Sequence, residues 1–221
     1  MKLPQADFMN VPNAEILLVA GGMAPRLDYF KNIAQGRKIF CIDKGIEICR
    51  DCNILPEILI GDFDSAESAA LNWARENKVP LKNYPVEKDF TDTQIALEIL
   101  PKNIPAVVTG IFGGRFDHLF SNIFTCANYQ NIFLADEREI IFYVKSGECV
   151  EVNFSQIPMA VSLLPLSETC EGVTTENLHW ELSNATLKQI LPNAVSNRAE
   201  SSKIKISVQR GTLAGYFVFR I

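Results

Sequence analysis

The alternation of its first 138 residues most constrains what this chain can fold into. Short apolar runs rich in β-branched residues occur at Ile16–Ala20, Lys38–Ile42, Ile58–Ile60, Ala106–Thr109 and Ile132–Ala135. Between them lie helical patterns at Leu27–Ala34, Gly45–Cys52, Ser65–Asn77, Thr91–Leu100 and Asp117–Asn128. Strands that alternate with helices build a mostly parallel sheet covered on both faces. Such a sheet binds its ligand beyond the carboxyl ends of its strands, in the loops that lead into helices. Thr91-x-x-Gln94 has the form of a capping box, and Ile95, Ala96, Ile99 and Leu100 share one face of the helix it opens. Leu119, Phe120, Ile123, Phe124 and Ala127 are spaced in the same way after Asp117.

Near Glu137 the helical periodicity stops. Short alternating or apolar runs follow at Ile140–Val144, Cys149–Phe154, Ala160–Leu164, Leu178–Leu182, Ile204–Val208 and Leu213–Phe219, separated by Gly, Pro, Asn and Ser clusters. The expected architecture is therefore α/β. A Rossmann-like, mostly parallel sheet with flanking helices spans residues 1–138, and an all-β sandwich spans 139–221.

Composition narrows the function. Hydrophobic residues make up 48% and charged residues 21%, ordinary for a globular chain that buries a core. The formal net charge is −5 with no long basic run, which gives no support to nucleic acid as a partner. An anionic ligand would need local cations instead, from a metal and a few placed Arg or Lys. Met1–Asp7 has no apolar stretch of signal-peptide length, and no segment approaches 18 apolar residues, so a cytoplasmic protein without a membrane span is expected. The scattered cysteines at 41, 49, 52, 126, 149 and 170 fit a reducing compartment. Cys49-Arg50-Asp51-Cys52 matches C-x-x-C without a second such pair, so thiols on a helix are a better reading than zinc or a redox couple.

The chemistry-bearing residues fall just after the expected strands. In Gly61-Asp62-Phe63-Asp64-Ser65, extended chain would point Asp62 and Asp64 the same way. Two carboxylates about 4 Å apart repel by roughly 4 kcal/mol at an effective dielectric near 20. A divalent cation removes that penalty, and an all-oxygen ligand set suits Mg²⁺. A solvated turn with Ser65 capping the next helix accounts for the same residues equally well. In Lys88-Asp89-Phe90-Thr91-Asp92, Asp92 lies in a first helical turn, where a carboxylate is favoured in any case, but Lys88 and Asp89 add a dense cluster of charge.

Gly110-Ile111-Phe112-Gly113-Gly114-Arg115-Phe116-Asp117-His118 offers glycines for close approach to a phosphate and Arg115 to grip it. Asp117 could ligate metal or cap its helix, and His118 reads as a local hydrogen-bonding group. Gly21-Gly22 and Asp43-Lys44-Gly45 complete the set on the same edge. No P-loop or protein-kinase signature is present.

In order and spacing these residues resemble the thiamine pyrophosphokinase family. The turn at Asp43, G-D-x-D-S at Asp62–Ser65, K-D-x-T-D at Lys88–Asp92 and G-G-R-x-D-H at Gly113–His118 carry the resemblance. It continues through Asn122, Ser162–Pro165, Gly172–Thr175 and Leu178–Trp180. The resemblance implies a nucleotide-binding α/β domain, a β-sandwich for thiamine binding and dimerisation, and a homodimer with thiamine near the subunit interface. It also implies transfer of pyrophosphate from ATP to the thiamine hydroxyl, releasing AMP.

Carried over by position, Asp62, Asp64, Asp89, Asp92 and Asp117 hold Mg²⁺ or orient the hydroxyl. Lys88 and Arg115 neutralise phosphates, with Gly21, Gly22, Asp43 and His118 on the nucleotide side. Trp180 resembles an aromatic platform for the thiazolium cation, though a core Trp fits the sequence nearly as well. Ser196 and Asn197 match residues at the thiamine ring. Lys44 and Arg198 depart from the family's usual Gly and Glu. The expected mechanism is in-line attack on the β-phosphorus, with Asp92 or Asp117 accepting the proton. The alternatives are a Mg²⁺-dependent phosphotransferase or hydrolase acting on another small alcohol, and a non-catalytic nucleotide- or thiamine-binding protein.

Overall fold

The structure is a computed structural model and describes residues 13–220. The Met1–Asp7 segment lies outside the described residues. The chain divides into two units, residues 14–136 and a second that takes in residues 137–221.

In the first unit, six strands form a sheet in which every pairing is parallel. They are β1 (Ile16–Val19), β2 (Lys38–Ile42), β3 (Ile58–Gly61), β4 (Leu81–Asn83), β5 (Ala106–Thr109) and β6 (Ile132–Ala135), in the order β4-β3-β2-β1-β5-β6. Every residue of β1, β5 and β6 is buried, which is why these strands read as unbroken apolar runs. The helices are α1 (Leu27–Ala34), α2 (Ile46–Cys52), α3 (Ser68–Glu76), α4 (Asp92–Ile99) and α5 (Phe116–Ala127).

The chain winds outward from β1 to β4 and then crosses back to place β5 on the other side of β1. Right-handed crossovers put the helices of the two directions on opposite faces. Accordingly α1 packs beside α2 and α2 beside α3, while α4 lies over β2 and β3 and against α5. The strand order reverses between β1 and β5, and a crevice opens at such a point.

The capping box of α4 forms as expected: Gln94 N–H donates to Thr91 Oγ1 at 3.2 Å, and Thr91 N–H donates to Gln94 Oε1 at 2.8 Å. Its buried face is Thr93, Ala96, Leu97 and Leu100, with Ile95 and Ile99 half-buried, so the helix is rotated from the expected face. The difference is larger in α5. The side that includes Asn122 and Cys126 is buried, whereas Phe116 and Phe120 are exposed. Phe116, Phe120 and Phe124 meet in succession along the helix as tilted ring pairs, with centroids 5.9 and 5.0 Å apart. The i, i+4 spacing was correct, but those aromatics pack mutually instead of into the sheet. The helix α3 begins at Ser68, not Ser65, so Ser65 does not cap it. Strand β4 is fully exposed and has no apolar pattern to announce it.

The second unit contains β7 (Glu139–Val144), β8 (Cys149–Asn153), β9 (Ala160–Pro165), β10 (Thr169–Glu176), β11 (Ala185–Lys188), β12 (Lys203–Ser207) and β13 (Leu213–Val218). Antiparallel β13 pairs with both β7 and β9, and a four-stranded antiparallel sheet runs β11-β10-β12-β8. Phe217 stacks on Phe142 at 5.0 Å and meets Phe154, just beyond β8, at 4.9 Å, so one aromatic cluster joins the two sets of strands. The expected strand at Leu178–Leu182 is instead a loop carrying a single bridge from Leu178 to Ala199. Asn177, at φ +68°, turns the chain out of β10, and only Leu178 remains buried. The polar, Thr-rich β10 and the short β11 occupy this part of the sheet. Among the described residues, no helix is long and apolar enough to cross a membrane.

The turn from β2 into α2 sits tightly on the end of β1: a Cβ at Gly45 would fall 2.2 Å from the Val19 carbonyl oxygen. Gly45→Ala must push backbone from backbone, and an overpacking cost of about 1–3 kcal/mol is expected. Chemical denaturation checks this; unchanged stability would mean the turn moves freely.

Candidate active site

A cavity of about 980 Å³ lies beyond the carboxyl ends of β1, β2, β3 and β5. Its floor is drawn together where Gly22 N–H donates to the Gly110 carbonyl at 2.8 Å. Asp136, just after β6, steadies that floor by accepting from Thr109 Oγ1 at 2.6 Å and from Gly110 N–H at 3.1 Å. Gly21, Gly22, Asp43, Asp62, Asp64 and Lys88 line the cavity, and so do Asp92, Arg115, Asp117 and His118. Asp89 is exposed and is not among its lining residues.

Asp43, Asp62 and Asp92 come together with carboxylate oxygens all within 4.8 Å of one another. Each reaches this point by a different route: the end of β2, the end of β3 and the first turn of α4. The backbone of Gly61 makes room for Asp43, since a Cβ there would lie 1.7 Å from Asp43 Oδ1. Phe63 N–H donates to the same oxygen at 3.1 Å. The partner expected for Asp62 was Asp64. Phe63 is not extended but left-handed, at φ +66°, and Asp64 is exposed, its N–H donating back to Asp62 Oδ1 at 3.2 Å. Asp64 still meets Asp62 side chain to side chain, a contact that raises Asp64, and Asp43 joins Asp62 and Asp92 in the group of three. The sequence signal of Asp43 was present, an acid directly after a strand, but a D-K-G turn gave no hint of which way that acid points.

Lys88 sits between two of the three carboxylates. Its Nζ donates to Asp62 Oδ2 at 2.8 Å and to the Pro85 carbonyl at 3.1 Å, and lies 3.2 Å from Asp92 Oδ1. Burial works to raise Asp62, but the Lys88 ammonium and the Asp64 amide hold it below its ordinary value. Burial, and then the Asp92 charge, push Asp43 up to about 7. Asp92 Oδ1 is buried and receives no aligned hydrogen bond even beside the ammonium. Three convergent carboxylates, an all-oxygen donor set, fit a hard divalent cation.

At the start of α5, Arg115 grips Asp117 through Nε at 3.1 Å and NH2 at 2.5 Å. The hydrogen bonds from Arg115 lower Asp117 to about 2. Asp117 is therefore a poor proton acceptor and lies outside the three-carboxylate cluster. The C-x-x-C cysteines do not face each other as a pair: the buried Cys49 thiol meets Cys41, with sulfurs 3.2 Å apart, and both are free.

In the second unit Trp180 is 62% exposed, which rules out a core tryptophan. His179 meets its ring edge-on at 4.6 Å. Asn197 does not present a free amide: its Oδ1 accepts from Trp180 N–H at 3.1 Å, and its Nδ2 donates to the Trp180 carbonyl at 2.8 Å. Ser196 is held through its N–H on Ser162 Oγ at 3.0 Å. Arg198 takes up Glu200 and His179 at 3.0 and 2.7 Å, so its charge has local partners.

The thiamin pyrophosphokinase catalytic-domain model matches residues 29–135, and the vitamin B1 binding-domain model of the same enzymes matches residues 150–213. The chain belongs to the thiamine pyrophosphokinase family. Thiamine pyrophosphokinase of Bacillus subtilis is 28% identical over 178 residues, covering 78% of this chain and 83% of that protein. The crystal structure of thiamine pyrophosphokinase from Bacillus subtilis superposes with a TM-score of 0.79 at 25% identity, covering 93% of this chain and 99% of that one. Thiamin pyrophosphokinase from Candida albicans shares the fold at a TM-score of 0.81 with only 15% identity, over 99% of this chain and 93% of that one. The catalytic-domain match of this family member encloses all three clustered carboxylates, and the B1-binding match encloses Trp180 and Asn197.

The raised Asp43 carries a pH signature. Its folded value of about 7 lies above the ordinary 3.8, so the folded chain keeps a proton that the unfolded chain releases. The stability tied to that proton is complete below about pH 4 and is lost as pH rises through about 7. In the metal-free protein, Asp43→Asn should flatten the fall of Tm across that window. Parallel Tm profiles for the two proteins would mean that Asp43 is not strained by its neighbours.

Proposed function

We propose that the chain transfers a pyrophosphoryl group from ATP to the hydroxyl of thiamine, releasing AMP, with Mg²⁺ held by Asp43, Asp62 and Asp92. The convergence of those three carboxylates beside Lys88, in the cavity beyond the ends of β1, β2, β3 and β5, carries this reading. Bound there, Mg²⁺ would neutralise charge on the polyphosphate. The hydroxyl oxygen bonds to the β-phosphorus while the bond from that phosphorus to the α-bridging oxygen breaks, so AMP departs. The hydroxyl proton passes to a carboxylate of the cluster. Arg115 holds Asp117 strongly ionised, which weakens it as the acceptor. Arg115 stands exposed at the rim, able to turn to phosphate oxygens, and the work of the protein is positioning and charge neutralisation.

Residues 1–138 are the Rossmann-like nucleotide domain in this reading, and 139–221 a β-sandwich that binds thiamine and forms a homodimer. Trp180 gives the cationic thiazolium an open indole face. Asn197 supports this by fixing the Trp180 backbone from both sides. The free thiols accord with a cytoplasmic setting.

Product analysis after incubation with ATP, Mg²⁺ and thiamine is the direct test. AMP is expected only when thiamine is present, whereas ADP would point to a phosphotransferase acting on another alcohol. Asp62→Asn should lower kcat by about 100-fold or more with the fold intact. In the same assay Trp180→Ala should raise KM for thiamine and leave that for ATP unchanged, and sedimentation of the purified chain reads its dimer.

A further inference from the structure

Three cations line the cavity: Lys44, Lys88 and Arg115. Two of them are already committed. Lys88 is lodged between Asp62 and Asp92 with its side chain only 13% exposed, and Arg115 is closed on Asp117. To reach an arriving anion, each must first release a carboxylate. Lys44 is different. It is exposed, and among the described residues its ammonium has neither a hydrogen bond nor an ion pair.

The backbone dictates where that free charge stands. Lys44 is the middle residue of the 3-10 turn Asp43–Gly45, between β2 and α2. Gly45 pins this turn against the carbonyl of Val19 at the end of β1. The loop after β1 yields space for the Lys44 stem: a Cβ at Gly21 would lie 3.2 Å from Lys44 Cβ. The stem therefore starts directly over Gly21, on the wall where β1, β2 and β5 end, next in sequence to Asp43 of the carboxylate cluster.

We infer that Lys44 binds the polyphosphate of the nucleotide, acting as the free cation that meets the anion before Lys88 and Arg115 exchange partners. This rests on the reading of the cavity as a nucleotide site. The cavity lining holds five aspartates against three cationic side chains, so beside a metal on the carboxylates the one unspent side-chain cation is the one available to the incoming anion. An ammonium on a flexible stem serves as a point charge on phosphate oxygens and needs no bidentate geometry. Its contribution is to ground-state binding, so it acts on nucleotide affinity and KM more than on kcat.

The test is titration of wild type, Lys44→Ala and Lys44→Arg with the α,β-methylene analogue of ATP in the presence of Mg²⁺, by calorimetry at several salt concentrations. Lys44→Ala should weaken binding about tenfold and flatten its salt dependence, as loss of one charge-assisted bond requires. Lys44→Arg should restore most of the affinity. A structural role would give neither the charge-dependent rescue nor the change in salt slope. Equal affinity and equal salt slope in wild type and Lys44→Ala would overturn the inference. Thiamine-dependent AMP formation by wild type, together with that equality, would overturn Lys44 alone. Weakened analogue binding in Lys44→Ala without thiamine-dependent AMP from wild type would sustain Lys44 and overturn the proposed acceptor. If wild type fails to bind the analogue, both fall.

Discussion

Like-charge repulsion among Asp43, Asp62 and Asp92 is the constraint around which the catalytic unit is arranged. At separations below 4.8 Å, each ionised pair costs about 3–4 kcal/mol at an effective dielectric near 20. Carboxylates do not stay so close without a rigid frame and a compensating charge. The frame consists of two adjacent parallel strands, β2 and β3, with the capped start of α4 over them. Lys88 supplies the charge, and a raised Asp43 relieves part of what remains. Gly61, whose missing side chain leaves room for Asp43, and the left-handed Phe63 that carries Asp62 into Asp64 belong to the same arrangement.

The sheet makes that arrangement affordable. Its central strands are buried on both faces, so the loops at their ends start from fixed points. Where the winding direction reverses between β1 and β5, the loops diverge and leave room for a ligand. Gly22, Gly110 and Asp136 then tie the floor of the cavity across three strand ends. The acidic cluster and the cation-bearing wall at Lys44 thus share a single floor.

The legibility of each element followed from how its side chains meet their surroundings. Strands β2, β5 and β6 and helix α1 match the sequence patterns residue for residue, because burial on the sheet leaves a mark on every position. Strand β4 left none, being an exposed edge held by its backbone ladder. Phe120 had correct helical spacing yet is exposed beside Phe116 and Phe124, because spacing records which residues share a side and not what that side touches. At Leu178–Leu182, an apolar run read as a strand proved to be a loop presenting Trp180 to solvent.

By itself, the sequence determined the α/β plan and the family's acidic motifs, because these depend on local period and order along the chain. It did not determine which carboxylates meet. Asp43 and Asp62 are distant in sequence and were read separately, whereas Asp62 and Asp64 were read as a pair. Parallel pairing of β2 with β3 joins the first two, and the left-handed turn at Phe63 folds Asp64 back onto Asp62. The commitments of the cations were likewise decided by tertiary structure. Among the described residues Lys88 is taken up by two carboxylates, Arg115 by one and Lys44 by none, since ion pairing depends on distances that only the folded chain sets.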